Sequence, residues 1–220
     1  MPEFLRQNIS AIQLDAIGAV ILAAGPSTRM GTPKQLLEFD GKTLLRRAAL
    51  VALEASCRPV IVVTGANAAA SRESLRELDV REIENQQWQS GISSSVRAGI
   101  EELVTVSPEA KAAVMMLCDQ PLVTPEIILG LISTHRETNC SIVASRYANS
   151  YGVPALFNHT HFAELRELKG DQGAKAIITR HLHQAHLLPF PDGDIDIDTP
   201  DDFERLESMA RSVSDARPFS

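Results

Sequence analysis

Apolar and polar positions follow two different periods along this chain. Residues 19–24 form a short apolar run stopped by Gly25, the pattern of a strand buried on both faces. Between Thr43 and Ala55, apolar side chains recur at Leu44, Leu45, Ala48, Val51, Ala52 and Ala55, a helical stripe. Residues 59–63 predict a second strand ending at Thr64-Gly65, followed by a helix through Leu78. Residues 80–84 predict a third, weaker strand, and a polar loop runs from Asn85 to Ser90. Residues 93–103 read as helix, and residues 112–117 as a fourth strand running straight into Asp119-Gln120-Pro121. Thr124-Pro125-Glu126 is ordered as a helix start: a capping hydroxyl, Pro in the first turn, then an acid. Ile127, Ile128, Leu131 and Ile132 continue its buried face, and residues 141–145 predict a fifth strand. Thr199-Pro200-Asp201-Asp202 repeats the helix start, with Phe203 and Leu206 turned inward.

The order is a βαβαβ half followed by a less regular half. It predicts a Rossmann-like α/β fold, an open and mostly parallel sheet with helices on both faces. Ligands of such sheets sit beyond the carboxyl ends of the strands, where Gly25, Gly65, Asn85 and Asp119 fall. A length of 220 residues suits one domain over residues 18–210, with an N-terminal extension over 1–17 and a polar tail over 211–220.

Composition narrows the class of partner. A net charge of -7 without a basic run argues against a nucleic-acid binder, so an anionic ligand must be met by a few placed cations, backbone amides or a metal. Three cysteines without a CxxC pattern argue against a disulfide framework or a zinc ribbon. No apolar run reaches membrane-spanning length, and the first fifteen residues lack the apolar stretch of a signal peptide. A cytoplasmic protein acting on small molecules is expected.

The loop after the first strand concentrates the chemistry. Gly25 and Gly31 let the backbone turn tightly, while Arg29 can fork onto phosphate oxygens and Lys34 adds a mobile charge. A triphosphate is the matching ligand. Neither GxxxxGK[ST] nor GxGxxG is present, which sets aside the P-loop and the dinucleotide loop. Asp119, at a strand's carboxyl end before a Pro-fixed turn, is placed either to bind a hard cation or to cap the turn. Asp194, Asp196 and Asp198 alternate with two isoleucines, so an extended strand would project all three carboxylates to one side. Such crowding raises their pKa values unless a cation or solvent relieves it; for Asp194 a solvated edge is the preferred reading.

The motifs, taken together, resemble a known family. Leu22-Ala23-Ala24-Gly25, continuing through Arg29-Met30-Gly31 to Lys34-Gln35-Leu36-Leu37, looks like the signature of NTP transferases related to the molybdenum cofactor cytidylyltransferases. Asn85 to Ser95, Cys118-Asp119-Gln120-Pro121, Gly152-Val153-Pro154, Gly170-Asp171-Gln172-Gly173 and Asp196-Ile197-Asp198-Thr199-Pro200 are similar to that family's further blocks, in the same order. The resemblance covers roughly residues 18–208 and implies the GT-A-like nucleotidyltransferase fold.

It also implies a reaction, in which CMP passes from CTP to the phosphate of a molybdopterin and pyrophosphate leaves. Asp119 and Asp198 would hold Mg2+, with Asp196 a less certain member. Arg29, Lys34 and Asp119 would be the catalytic residues. Leu22, Ala23, Ala24, Gly25, Gly65, Asn85, Gly91 and Ser95 would surround the nucleotide together with Arg29 and Lys34. Gly152, Pro154, Gly170, Asp171 and Gly173 would serve the acceptor, although these glycines read equally as turns and a helix cap. Ala24 stands where guanine-preferring relatives carry Gly, which favours cytosine, and Val153 stands where relatives often carry His. Trp88 is placed either to stack on a ligand or to pack half-buried.

Two other classes compete with this one. One is a related nucleotidyltransferase acting on a sugar or polyol phosphate. The other is a non-catalytic chaperone delivering cofactor to a molybdenum hydroxylase, a partner the enzyme itself could also serve. Among the remaining residues, His159/His161 and His181/His183 are spaced i, i+2, which does not put both of a pair on one helical face, and no HExxH is present; polar surface is the preferred reading over a zinc site. Cys118 reads as a small core hydrophobe, and Arg46 and Arg47 as solvent-facing.

Overall fold

The computed structural model describes residues 16–215. The readings of the first fifteen residues and of the last five lie outside the described residues. The chain runs β1 (Ile17–Ala23), β2 (Glu38–Phe39), β3 (Lys42–Thr43), α1 (Leu44–Glu54), β4 (Val60–Thr64), α2 (Ala68–Ser74), β5 (Arg81–Glu84) and α3 (Ile92–Val106). It continues through β6 (Ala112–Leu117), α4 (Pro125–Thr138), β7 (Ile142–Tyr147), β8 (Ser150–Asn158), α5 (Phe162–Arg166), α6 (Lys175–Arg180), β9 (His186–Pro189) and α7 (Pro200–Asp215). The main sheet has seven strands in the order β5-β4-β1-β6-β8-β7-β9. β5, β4, β1 and β6 are parallel, β8 is antiparallel to both its neighbours, and β9 is parallel to β7. The expected mostly parallel open sheet is what forms.

Each face of the sheet is covered because its central strands are apolar on both sides. Ile17, Ala19, Ile21 and Ala23 of β1 pack with α1 and α4, through Leu45, Ala49, Ile128 and Leu131. Val20 and Leu22 pack the other way, on Val96, Ile100 and Leu103 of α3 and on the region of α5 and α6. A third cluster joins Met30 of the β1 loop, Leu44, Ile197 and Leu206 of α7. It ties the loop after β1 to the segment before α7, although about 170 residues of sequence separate them.

The helix starts follow the sequence with one exception. Thr43 caps α1, its hydroxyl accepting from the Arg46 amide at 3.1 Å. Thr199 and Asp202 form a reciprocal box at α7: the Asp202 carboxylate accepts from the Thr199 amide at 2.8 Å, and the Asp202 amide donates to the Thr199 hydroxyl at 3.3 Å. Thr124 is the N-cap residue of α4, but its hydroxyl caps no amide; it bonds the Glu126 carboxylate instead and holds that group below its usual range.

Other elements depart from the sequence reading. α2 ends at Ser74, because the chain turns through Glu77 at φ +67° instead of continuing to Leu78. β8 and β9 were not anticipated; they fill the half read as less regular, and β8 contains the Gly152–Pro154 block. The Asp194–Asp198 stretch is not a strand but a turn and extended coil, with Ile197 buried. α7 runs through Asp215, so the first part of the stretch read as a tail is helical. Arg46 and Arg47 are half-buried: Arg46 donates to the carbonyls of Ser74 and Arg76 after α2, and Arg47 lies 4.9 Å over the Phe39 ring. Among the described residues no helix is long and apolar enough to cross a membrane.

Candidate active site

Strand order decides where a site can form. β1 lies between β4 and β6, so the chain leaves β1 toward one side and β6 toward the other, and a crevice opens beyond their carboxyl ends. A cavity of about 420 Å³ lies there. Residues 22–26, at the end of β1 and just past it, line it, with Lys34 and Gln35 from the following turn. Trp88, Gly91, Ile92 and Ser95 line it from the start of α3, and residues 117–119 from the end of β6.

Lys34 is held by its own loop. Ser27, at φ +55°, accepts the Lys34 amide on its hydroxyl at 2.9 Å, and its carbonyl accepts from Met30 at 3.0 Å. The Lys34 ammonium then reaches both acids: it bonds Asp119 Oδ2 closely and Asp198 Oδ1 at 2.9 Å. Asp119 stands just past β6, and its carbonyl accepts from the Ile197 amide at 3.0 Å. That one backbone bond sets Asp198 beside Asp119. Arg29 completes the group from the rim, donating to Asp198 Oδ2 at 2.8 Å with its side chain 68% exposed.

The charges here are strongly coupled. Burial alone would lower the Lys34 pKa, but Asp119 and then Asp198 outweigh it and hold the ammonium above its usual range. Burial would raise Asp198, and the hydrogen bond from Lys34 overrides it, so its carboxyl lies below the usual range. Asp196 keeps an exposed side chain, yet partial loss of solvent and then the charge of Asp119 push it up to about 6. Burial, then Asp119, keeps the buried Cys118 thiol raised and protonated; it is a small apolar group in the lining, not a nucleophile.

The donor set suits a hard divalent cation. Two carboxylates converge on one cationic point, and Asp119 Oδ1 is a buried acceptor with no hydrogen-bond partner among the described residues. A second cation with oxygen preference would satisfy it.

Several expected nucleotide residues do not meet the cavity. Asn85 is buried behind its lining, and its amide donates to the hydroxyls of Ser94 and Ser95 at 2.8 and 3.0 Å. Both of its amide protons are used within the protein, one on Ser95, a residue that itself lines the cavity. Gly65 packs under the loop instead: a Cβ there would lie 2.7 Å from the Ala24 carbonyl oxygen.

The acceptor residues divide. Gly170 and Asp171 close over the start of α3, where the Gly170 carbonyl accepts from the Ser93 amide at 3.1 Å, and Asp171 lines the same cavity as Gly25. Gly173 packs on Ile92. Gly152 and Pro154 lie apart on β8, Gly152 against the Tyr147 hydroxyl and the Pro154 carbonyl accepting from Ser145 at 2.7 Å. Sequence reasoning passed over Gln35 and Gln120 as single residues. Gln35 is 1% exposed, lines the cavity and accepts from the Ser27 hydroxyl; Gln120 is buried and donates to the carbonyls of Val153 and Gly193. A Gln before two leucines and one inside the Asp119 motif were the available signals.

A family described as the MobA-like NTP transferase domain matches residues 19–185. Nicotine blue oxidoreductase of Paenarthrobacter nicotinovorans is 30% identical, over 90% of this chain and 97% of that protein. Purine catabolism protein PucB of Bacillus subtilis is 27% identical, over 85% of this chain and 94% of that protein. Among solved structures, Rv0371c from Mycobacterium tuberculosis superposes with a TM-score of 0.76 at 34% identity, covering 88% of this chain and 98% of its own. A structure of the same Rv0371c protein in complex with manganese gives a TM-score of 0.69 at 34% identity, over 87% and 97%.

Proposed function

The chain belongs to the MobA-like NTP transferase family, and from that membership we propose that it transfers CMP from CTP to the phosphate of a molybdopterin-type acceptor, releasing pyrophosphate. The observation that carries the reading is Lys34 joined to both Asp119 and Asp198 beside the cavity that residues 22–26 line. Asp119 and Asp198 would hold Mg2+, which when bound neutralises charge on the phosphates. The manganese complex of Rv0371c supports a divalent ion in a relative.

The chain's own groups do the rest. Lys34 and Arg29 hold the triphosphate oxygens as cationic donors, Lys34 from within and Arg29 from the rim. Gly25, beside which a Cβ would meet nothing within 4 Å, leaves room along the loop backbone. The acceptor's ionised phosphate oxygen attacks the α-phosphorus, the bond to the bridging oxygen breaks, and pyrophosphate departs. An ionised phosphate needs no catalytic Ser, Cys or His, so position and electrostatics carry the rate.

Lys34→Ala is expected to weaken CTP binding about ten- to a hundred-fold, the loss of one charge-assisted bond worth about 1.5–3 kcal/mol. Calorimetric titration checks it, and an unchanged affinity removes Lys34 from the phosphate site. Ala24 is buried in the lining. Ala24→Gly is expected to move the CTP-over-GTP preference about tenfold toward GTP, since a methyl is worth about 1–3 kcal/mol in discrimination. Pyrophosphate release compared between the two nucleotides measures it; an unmoved ratio means that base choice is made elsewhere.

The Paenarthrobacter relative, nicotine blue oxidoreductase, supports a second reading, an oxidoreductase acting on a compound of that kind. One assay separates the two. Pyrophosphate release from CTP with magnesium and molybdopterin, compared with ATP, GTP and UTP, is expected with CTP alone. Release with another nucleotide keeps the chemistry and discards cytosine. Release only with a sugar or polyol phosphate replaces the acceptor. No release with any nucleotide, with turnover of nicotine blue instead, favours the oxidoreductase.

A further inference from the structure

β8 runs opposite to β6 and ends at Asn158, beside Ala112 where β6 begins. The turn that follows therefore sits at the amino-terminal edge of the sheet, the edge away from the cavity. His161 closes that turn and is 7% exposed, against the surface position expected from its spacing with His159. Three residues on, Glu164 of α5 faces it, and His181, just past α6, comes from the other side. Oε1 of Glu164 is 3.2 Å from His161 Nδ1 and 2.9 Å from His181 Nε2. One ligand atom from each residue lies within 4.8 Å of the others.

We propose that His161 Nδ1, Glu164 Oε1 and His181 Nε2 form a second metal site, one that takes a zinc-like transition-metal ion and clasps the β8–α5 turn to the end of α6. Two imidazole nitrogens and one carboxylate oxygen are a borderline donor set that selects Zn2+ over the hard Mg2+ of the catalytic cavity, with water as fourth ligand. The outer partners match this role. Ser141 Oγ lies 3.0 Å from His161 Nε2, so that nitrogen can keep its proton and leave Nδ1 free to coordinate. Arg180 donates to the second oxygen of Glu164 at 2.6 Å, orienting the carboxylate.

The competing account is a plain charge cluster in which both rings carry protons toward Glu164 and no ion enters. Metal-free protein, dialysed against Zn2+ in excess Mg2+ and assayed by elemental analysis and thermal unfolding, separates the two. One zinc per chain and a raised Tm are expected, both lost in His181→Ala and both kept in Asp119→Asn. His181 is half-exposed, so its replacement leaves the core intact; circular dichroism confirms the fold, and His181→Gln serves as a second variant. Cobalt in place of zinc is expected to give the visible bands of a four-coordinate ion in the wild type and in Asp119→Asn, and in neither His181 variant. Pyrophosphate release by His181→Ala is expected to match the wild type. Zinc that fails to bind, that survives both His181 variants, or that leaves with Asp119→Asn overturns the site.

Discussion

Asp119→Asn is expected to lower the rate of pyrophosphate release by about a hundred- to a thousand-fold, the scale of losing one preorganised electrostatic partner. The same variant should unfold at nearly the wild-type temperature. The asymmetry follows from the geometry. Asp119 Oδ1 is buried with no partner, so it contributes no internal hydrogen bond that the variant would forfeit. Oδ2 pairs with a Lys34 ammonium that still has Asp198 at 2.9 Å, so the cation is not left buried alone. The stability cost is then about 1 kcal/mol, that of weakening a partly exposed ion pair. What is lost is a negative oxygen where a divalent cation would be held. Manganese titration of the variant should show the matching loss of affinity. Near-normal turnover would remove Asp119 from the metal set, and a large fall in Tm would make it a structural residue.

Gly91→Ala is expected to damage both the fold and the site. Gly91 is the N-cap of α3 at φ +101° and ψ +166°, a conformation essentially confined to glycine. A Cβ there would lie 2.2 Å from the Gly170 carbonyl oxygen and 2.4 Å from its carbon, both backbone atoms that cannot swing away. Backbone strain of about 1–3 kcal/mol adds to overpacking of about 1–3 kcal/mol, giving a loss of about 3 kcal/mol or more. Urea denaturation measures the loss. The contact that must break also holds Asp171 over the cavity, so CTP affinity should fall with stability. A variant within about 0.5 kcal/mol of the wild type, the range of neutral surface changes, would mean that the Gly170 loop is not seated on α3.

How far the site was legible depended on whether its chemistry is local. The β1 loop was, because Gly25, Arg29 and Lys34 follow one apolar run within ten positions. Asp119 was legible as a candidate, because it ends an apolar strand at the edge where ligands of such sheets sit. Asn85 was legible as a special residue at a strand end, but its partners were not. Its amide is spent on Ser94 and Ser95, partners that meet it only when α3 packs back across the sheet. Gln35 and Gln120 were hidden because their polarity makes sense only against the neighbours that surround them.

The sequence by itself determined the alternating β and α elements of the first half, the edge of the sheet where the candidate site forms, and the pairing of glycine with cationic side chains in the β1 loop. Those follow from period, from chain reversal after each buried strand, and from charge placed beside glycine. Tertiary structure decided everything that depends on two distant segments meeting. The cluster of Met30, Leu44, Ile197 and Leu206 and the Ile197–Asp119 backbone bond bring Asp198 to Lys34. The reversed strand β8 carries His161 to the opposite edge, where it meets His181 and not its sequence neighbour His159. Periodicity reports which way a residue faces on its own element; which other element it then meets is set by strand order and packing of the whole sheet.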